Sequence, residues 1–345
     1  MHYPLLVRLE SSKGNLGDIL IWKGLVHLIQ KYDSEATFTL IDKFSEKSLR
    51  ANFPVVKDCG FMIFAGTPQY NCLDDWSFWW DTDLWTRYIV PHNLRVFSIA
   101  GGSGSVDPCE TLESFTNRCM SSVKTYDNLK VRKLFNPTLS VRDQHAHHLL
   151  QALCIDHRLL PCTAGWSLMG IPQTNEFVCL SLPGVEHYYE QSHKPSFKQL
   201  LDNFKQVYRL AKQAGLQPVF SSPGREEGDK ISPLLEGFEH FIPETFNEWQ
   251  NFLSRCVGSI GCRIHTAIPM AGQGKRSVLL PTDSRHTAVG LYGISIVDLF
   301  SQPEDIFSAW TSAKQPIELI DVEAQYFELF NHIKVFQHGN RTISY

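Results

Sequence analysis

PLLVRLESSKGNLGDILIWKGLVHLIQKY, residues 4–32, decides the fold class. Pro4 to Leu9 is a short, mostly apolar run of strand length. Ser11 to Gly17 is rich in turn formers. From Asp18 to Tyr32 the apolar residues Ile19, Leu20, Trp22, Leu25, Leu28 and Ile29 recur at helical spacing, with Asp18 placed as an N-cap or first-turn acid. The stretch is a strand, a loop and a helix, and Thr37 to Ile41 (TFTLI) reads as the next strand.

The loop contains Gly14-Asn15-Leu16-Gly17-Asp18 at the start of the helix, where backbone amides and the helix dipole favour a phosphate or carboxylate. It has neither the spacing of a dinucleotide fingerprint nor that of a phosphate-binding loop with Gly-Lys-Ser/Thr. A strand-to-helix turn that needs glycine is the equal alternative.

Working outward, Phe61 to Ala65 and Val96 to Ala100 read as buried parallel strands feeding glycine-rich loops, Gly66 after the first and Gly101-Gly102-Ser103-Gly104 after the second. Between them Trp76, Phe78, Trp79, Trp80 and Trp85 alternate with acids. We read this aromatic run as core packing ahead of a sugar-stacking surface. Pro161 to Thr174 lacks periodicity and is the linker candidate. The expected division is an N-terminal α/β domain over 1–165 and a C-terminal one over 175–345, the last helices packing back on the first domain.

After the linker the alternation resumes: Glu176 to Leu182, a helix from Ser196 to Ala214 with Ser196 as cap and Gly215 as stop, then Pro218 to Ser221, Ser277 to Leu280 and Ile294 to Leu299. Helical patterns such as Ala324 to Val335 close the chain. Two such halves predict two facing doubly wound, Rossmann-like α/β domains, with ligand at the carboxyl ends of their strands.

Composition narrows the classes. The chain has 345 residues, 43% hydrophobic and 20% charged, which is ordinary for a globular protein. A net charge of −4 with scattered Lys and Arg argues against nucleic acid as a partner. No apolar window approaches the roughly 20 residues that span a bilayer, and no secretory signal is visible at the start, so a cytoplasmic location is expected. The nine cysteines include no Cys-x-x-Cys pair and read as reduced, buried thiols.

Three further constellations carry candidate chemistry. Ser140-Val141-Arg142-Asp143 sits at a strand end before a helix: Arg142 has the planar fork that clamps an anion, and Asp143 would orient it or cap the helix, against a surface ion pair as the plain reading. His145-Ala146-His147-His148 invites a metal, but no further ligand at helical spacing completes a site, so we expect no metal and a solvated helix face. Gly261-Cys262-Arg263-Ile264-His265 is the strongest signal. Arg263 would bind phosphate or carboxylate, and His265 has the pKa range to move a proton at neutral pH. Downstream, Thr282-Asp283-Ser284-Arg285-His286 offers another cation, Arg285, unless it is only a capped helix start.

In this order, Gly-Asn-x-Gly-Asp, the glycine-rich ends at Gly66 and Gly101, Ser-Val-Arg-Asp at 140–143, Gly-x-Arg-x-His at 261–265 and the Asp-x-Arg of 283–285, the chain resembles the polysaccharide pyruvyl transferase family over residues 14–295 or so. The resemblance implies a fold similar to GT-B glycosyltransferases and transfer of the pyruvyl group of phosphoenolpyruvate to a hexose diol as a cyclic ketal. It implies His265 as general acid and Arg263 beside it as the catalytic pair. Donor contacts would fall to Arg142, Arg263, Gly14, Asn15, Gly17, Ser103, Gly104 and Arg285. Phosphoenolpyruvate is then the donor substrate and no cofactor is needed, the acceptor is a glycan or lipid-linked sugar, and assembly into a homo-oligomer stays open. The competing readings are a nucleotide-sugar glycosyltransferase of the same plan and a non-catalytic sugar-binding relative.

Overall fold

The computed structural model describes all residues except 10–15, 75–77, 105–106, 137–138, 184–196, 315–318 and 342–345. In the first half, the strands are β1 (His2–Val7), β2 (Thr37–Asp42), β3 (Phe61–Ala65), β4 (Pro68–Tyr70), β5 (Arg95–Ser103), β6 (Leu139–Val141) and β7 (Arg158–Leu159). They form a parallel sheet in the order β2-β1-β3-β5-β6-β7, with β4 paired to the end of β5. Phe61-Met62-Ile63-Phe64-Ala65 is buried at every position. An apolar run without alternation is what a strand covered on both faces requires.

The second half repeats the plan with β8 (Phe177–Ser181), β9 (Pro218–Ser221), β10 (His240–Phe241), β11 (Cys256–Gly261), β12 (Arg276–Leu279) and β13 (Ser295–Ile296). All pair in parallel, in the order β10-β9-β8-β11-β12-β13. The order in which the chain lays down its strands reverses between β1 and β3 in one sheet and between β8 and β11 in the other, all strands staying parallel. Open α/β sheets bind ligands outside the carboxyl ends of their strands at such switch points. The sequence reading assigned no strand to Cys256–Gly261, whose Gly258 and Gly261 dilute the apolar signal. A Cβ at Gly261 would lie 2.1 Å from Ser181 Oγ, so the close approach of β11 to β8 needs glycine there.

The two halves share packing. Leu5, Leu25, Trp166, Trp249, Met270 and Tyr326 belong to one continuous hydrophobic cluster. Its middle is the segment Pro161–Leu168, buried between helix Gly17–Tyr32 and helix Ile264–Gly272. The last helix, Ile320–Arg341, lies against the first: Phe327 and Phe330 meet Tyr32 at 5.7 and 5.8 Å, and Trp166 donates to Glu323 Oε1 at 2.9 Å. No helix among the described residues is long and apolar enough to cross a membrane.

Several local expectations meet their outcome here. Trp80 and Trp85 are core residues, packed with Leu6, Ile41 and Val96, while Phe78 and Trp79 are half-buried and Trp76 lies outside the described residues. Ser196 also lies outside them; Gly215 adopts φ +78° just beyond helix Phe197–Gln213. The solvated face expected for the histidine run is corrected. His145 is buried with Nε2 at 2.8 Å from the Glu110 carbonyl, His147 meets His157 at 2.8 Å, and His148 meets Thr116 Oγ1 at 2.9 Å. Helix Gln144–Ala152 turns His145 and His148 to residues 110–116 and His147 to His157, partners that spacing alone does not reveal. All nine cysteines are free thiols, and Cys109 and Cys154 are exposed where burial was expected.

Candidate active site

Side chains from both sheets meet where their carboxyl ends face each other. Arg8 follows β1, Lys43 follows β2, Thr67 follows β3, Ser103 ends β5 and Arg142 follows β6. His265 comes from the opposite sheet, in the first turn of the helix after β11. A small pocket opens on the second-half side of His265, lined by Arg263, Asp283, Arg285 and His286.

Asp18 is the centre of the charge network. Its Oδ2 takes Arg8 Nη1 at 3.2 Å and Lys43 Nζ at 3.7 Å, and its Oδ1 lies 4.0 Å from His265 Nδ1. Burial alone would raise its pKa, but Lys43, His265, Arg8 and Arg142 together hold the carboxyl below the ordinary range. Burial pulls the Lys43 ammonium down to about 8, with Asp18 opposing the shift. Arg8 and Lys43 thus share one carboxylate, and Arg142 is close enough to act on it.

Arg142 is 1% exposed. Its Nη1 reaches His265 Nε2 at 3.3 Å and Cys162 Sγ at 3.5 Å, while Nε and Nη2 have no hydrogen-bond partner. A buried donor without an acceptor costs about 1–3 kcal/mol, more for a charged group, so this unsatisfied edge marks Arg142 as a candidate anion ligand. Ser103 Oγ and Thr67 Oγ1 are likewise buried and unpartnered. Gly102 makes the approach of Arg142 feasible: a Cβ there would sit 2.7 Å from Arg142 Nε and 2.8 Å from Asp143 Oδ2. Thr67 and Ala100 adopt φ of +66° and +54°, strained for residues with a side chain, and such strain collects at functional sites.

Asp143 is a positioning group. Its Oδ1 accepts from Ala146 N at 2.9 Å, capping the helix, and its Oδ2 accepts from Ser103 N at 2.8 Å. The plain alternative of a surface ion pair at Arg142 and Asp143 is overturned by their burial.

His265 is 5% exposed, and burial first, then the Arg142 charge, lower its pKa to about 3, against the pull of Asp18. The imidazole is neutral at physiological pH. With Nε2 facing the Arg142 donor, the proton belongs on Nδ1, toward Asp18.

The other sequence-derived residues separate from this cluster. Arg263 lines the pocket beside His265 but donates to the Leu182 carbonyl at 3.0 Å and is ion-paired with Glu227. Arg285 is held by both oxygens of Asp283, at 2.9 and 2.5 Å, and this raises its pKa further. Asp283 also caps the following turn, accepting from Arg285 N, so the capped start and the cation are the same structure. Gly17 begins the first helix, and Gly104 N donates to the Tyr70 carbonyl at 3.0 Å. Gly14 and Asn15 lie outside the described residues. Arg8 and Lys43 escaped the sequence reading because each is a single cation beside an apolar run; the available signal was their place just past a parallel strand.

Two facing parallel-sheet α/β units whose strand ends meet in a charged side-chain cluster define a GT-B-type enzyme fold. The fold is similar to that of UDP-GlcNAc 2-epimerase from Methanocaldococcus jannaschii, at a TM-score of 0.57 and 7% identity over 96% of this chain and 100% of that one. It is also similar to the Neisseria meningitidis UDP-GlcNAc 2-epimerase, at a TM-score of 0.55 and 10% identity with the same coverage. No curated protein matches the sequence. The chain belongs to the polysaccharide pyruvyl transferase family, whose model matches residues 15–284, and it is a transferase of that family.

Proposed function

We propose that this transferase moves the pyruvyl group of phosphoenolpyruvate onto two hydroxyls of a hexose in a glycan or lipid-linked precursor, as a cyclic ketal, in the cytoplasm. The observation that carries the proposal is the unpartnered, buried Nε/Nη2 edge of Arg142 beside a neutral imidazole in a cation-rich cluster. A donor with a phosphate and a carboxylate matches that charge. Ser103 and Gly104 would line the anion, and Gly14, Asn15 and Gly17 would add amides from the helix start. Arg263 and Arg285 would reach it from the opposite wall.

The reaction balances as follows. One acceptor proton ends on the enol methylene, making a methyl group; two C–O bonds form to the former carbonyl-level carbon; the C–O bond to phosphate breaks, and phosphate leaves with the second proton. His265 would deliver the proton to the methylene. In the free protein it is neutral, so it must first take a proton; burial and then the Arg142 cation hold its pKa down, and the donor's negative charge on Arg142 would offset the second of these.

A thermal-shift titration with phosphoenolpyruvate beside UDP-, GDP- and CMP-sugars tests the reading, because a ligand that binds only the folded state stabilises it. Stabilisation by phosphoenolpyruvate alone supports pyruvyl transfer. Stabilisation by a nucleotide sugar alone replaces it with glycosyl transfer.

A further inference from the structure

Phe44 occupies an unusual place. It is 38% exposed and stands beside the charge network just past β2. Its loop is fixed: Lys43 N donates to the Val7 carbonyl at 2.7 Å, Phe44 N to Asp42 Oδ1 at 3.1 Å, and Ser45 caps the next helix through Ser48 N.

Two cations lie against the ring, Arg8 at 4.7 Å and Lys43 at 4.8 Å from its centroid. Both also reach the same oxygen, Asp18 Oδ2, at 3.2 and 3.7 Å. The ring is therefore pinned by the charge network while 38% of the residue stays exposed. Beside it, Phe78 and Trp80 stack on each other at 4.2 Å and meet Phe44 edge-on, at 6.0 and 5.1 Å. Exposing a rigid aromatic costs hydration free energy that core packing would recover. An exposed ring held in place by cations beside a carboxylate is a platform for a ligand with an apolar face and a polar edge.

We propose that Phe44 is the stacking platform for a hexopyranose. The C–H face of the sugar would rest on the ring, and its hydroxyl edge would turn to Arg8 and to the Asp18 carboxylate, which accepts hydrogen bonds. That this sugar is the acceptor rests on the pyruvyl-transfer reading; that Phe44 binds a sugar does not. The sugar-stacking role weighed for the aromatic run of residues 76–85 thereby falls to Phe44, a loop residue outside that run, while Trp80 and Trp85 build the core.

The test is saturation-transfer NMR on the full chain with methyl gluco-, galacto- and mannopyranosides, with and without phosphoenolpyruvate. At least one glycoside should receive saturation at its ring C–H protons from the native protein. Phe44→Ala should lose at least nine-tenths of that signal, Phe44→Trp should keep it, and phosphoenolpyruvate should shift the melting of Phe44→Ala as it does the native protein, which shows that the variant is folded. Equal signal from Phe44→Ala and the native protein, or none from the native protein with any glycoside, overturns the platform. Glycoside binding that depends on Phe44 in a protein that phosphoenolpyruvate does not stabilise keeps the platform and removes the pyruvyl-transfer reading instead.

Discussion

Arg142 Nη1 lies 3.3 Å from His265 Nε2, across 123 positions of sequence and between two different sheets. The guanidinium donates and the imidazole accepts, which requires a neutral ring. Any anion that binds the remaining edge of Arg142 therefore acts on the protonation of His265 through one contact. Anion binding and proton affinity are linked in this site by geometry.

Replacing His265 with Ala should lower turnover by about a hundredfold or more, the usual range for a general acid, while phosphoenolpyruvate still raises the melting temperature. Phosphate release and thermal shift read the two effects. A variant with native turnover removes His265 from the proton step.

The acid sensitivity of folding should carry the signature of His265. Its pKa is about 3 in the folded chain and near 6.5 in an unfolded one, so between those values the unfolded state binds more protons. Stability is then lost as pH falls from 6.5 toward 3, by up to about 1.4 kcal/mol per pH unit from this group. Urea unfolding at pH 6.5, 5.5 and 4.5 should show a flatter decline for His265→Gln than for the native protein; parallel declines would mean that the imidazole is not the group that charges.

Arg142→Met should leave the ligand-free protein as stable as the native one or more so, since a buried guanidinium with two unpartnered nitrogens costs free energy that an apolar chain of similar length avoids. The same variant should lose the response to phosphoenolpyruvate. Arg263→Ala should weaken that response less, because Arg263 is already engaged by Leu182 and Glu227. Melting curves with and without donor rank the two, and a larger loss for Arg263→Ala would move the anion site to the opposite wall.

Gly102→Ala should cost about 1–3 kcal/mol of stability, because the new methyl lands inside contact distance of Arg142 Nε and Asp143 Oδ2 and must displace one of them. Donor affinity should fall with it. Denaturant midpoints and donor titration check this; a neutral substitution would show that Arg142 has room to move.

The sequence by itself determined the strand-loop-helix units and hence the α/β class. Phe61–Ala65 and Pro218–Ser221 are strands with the bounds read from their apolar runs, because burial of consecutive side chains in a parallel sheet leaves a local pattern. It also placed Arg142 at a strand end and His265 at a glycine-bounded turn. Only the tertiary structure decided which cations still have donors to offer. Arg263 and Arg142 look alike in sequence, but Glu227 occupies the first and nothing occupies the Nε and Nη2 of the second. Arg8, Lys43 and Phe44 became parts of one site only when the end of β1 met the end of β2. Hydrogen-bond satisfaction, charge balance and exposure are set by neighbours in space, and those neighbours come from distant parts of the chain, so no local pattern records them.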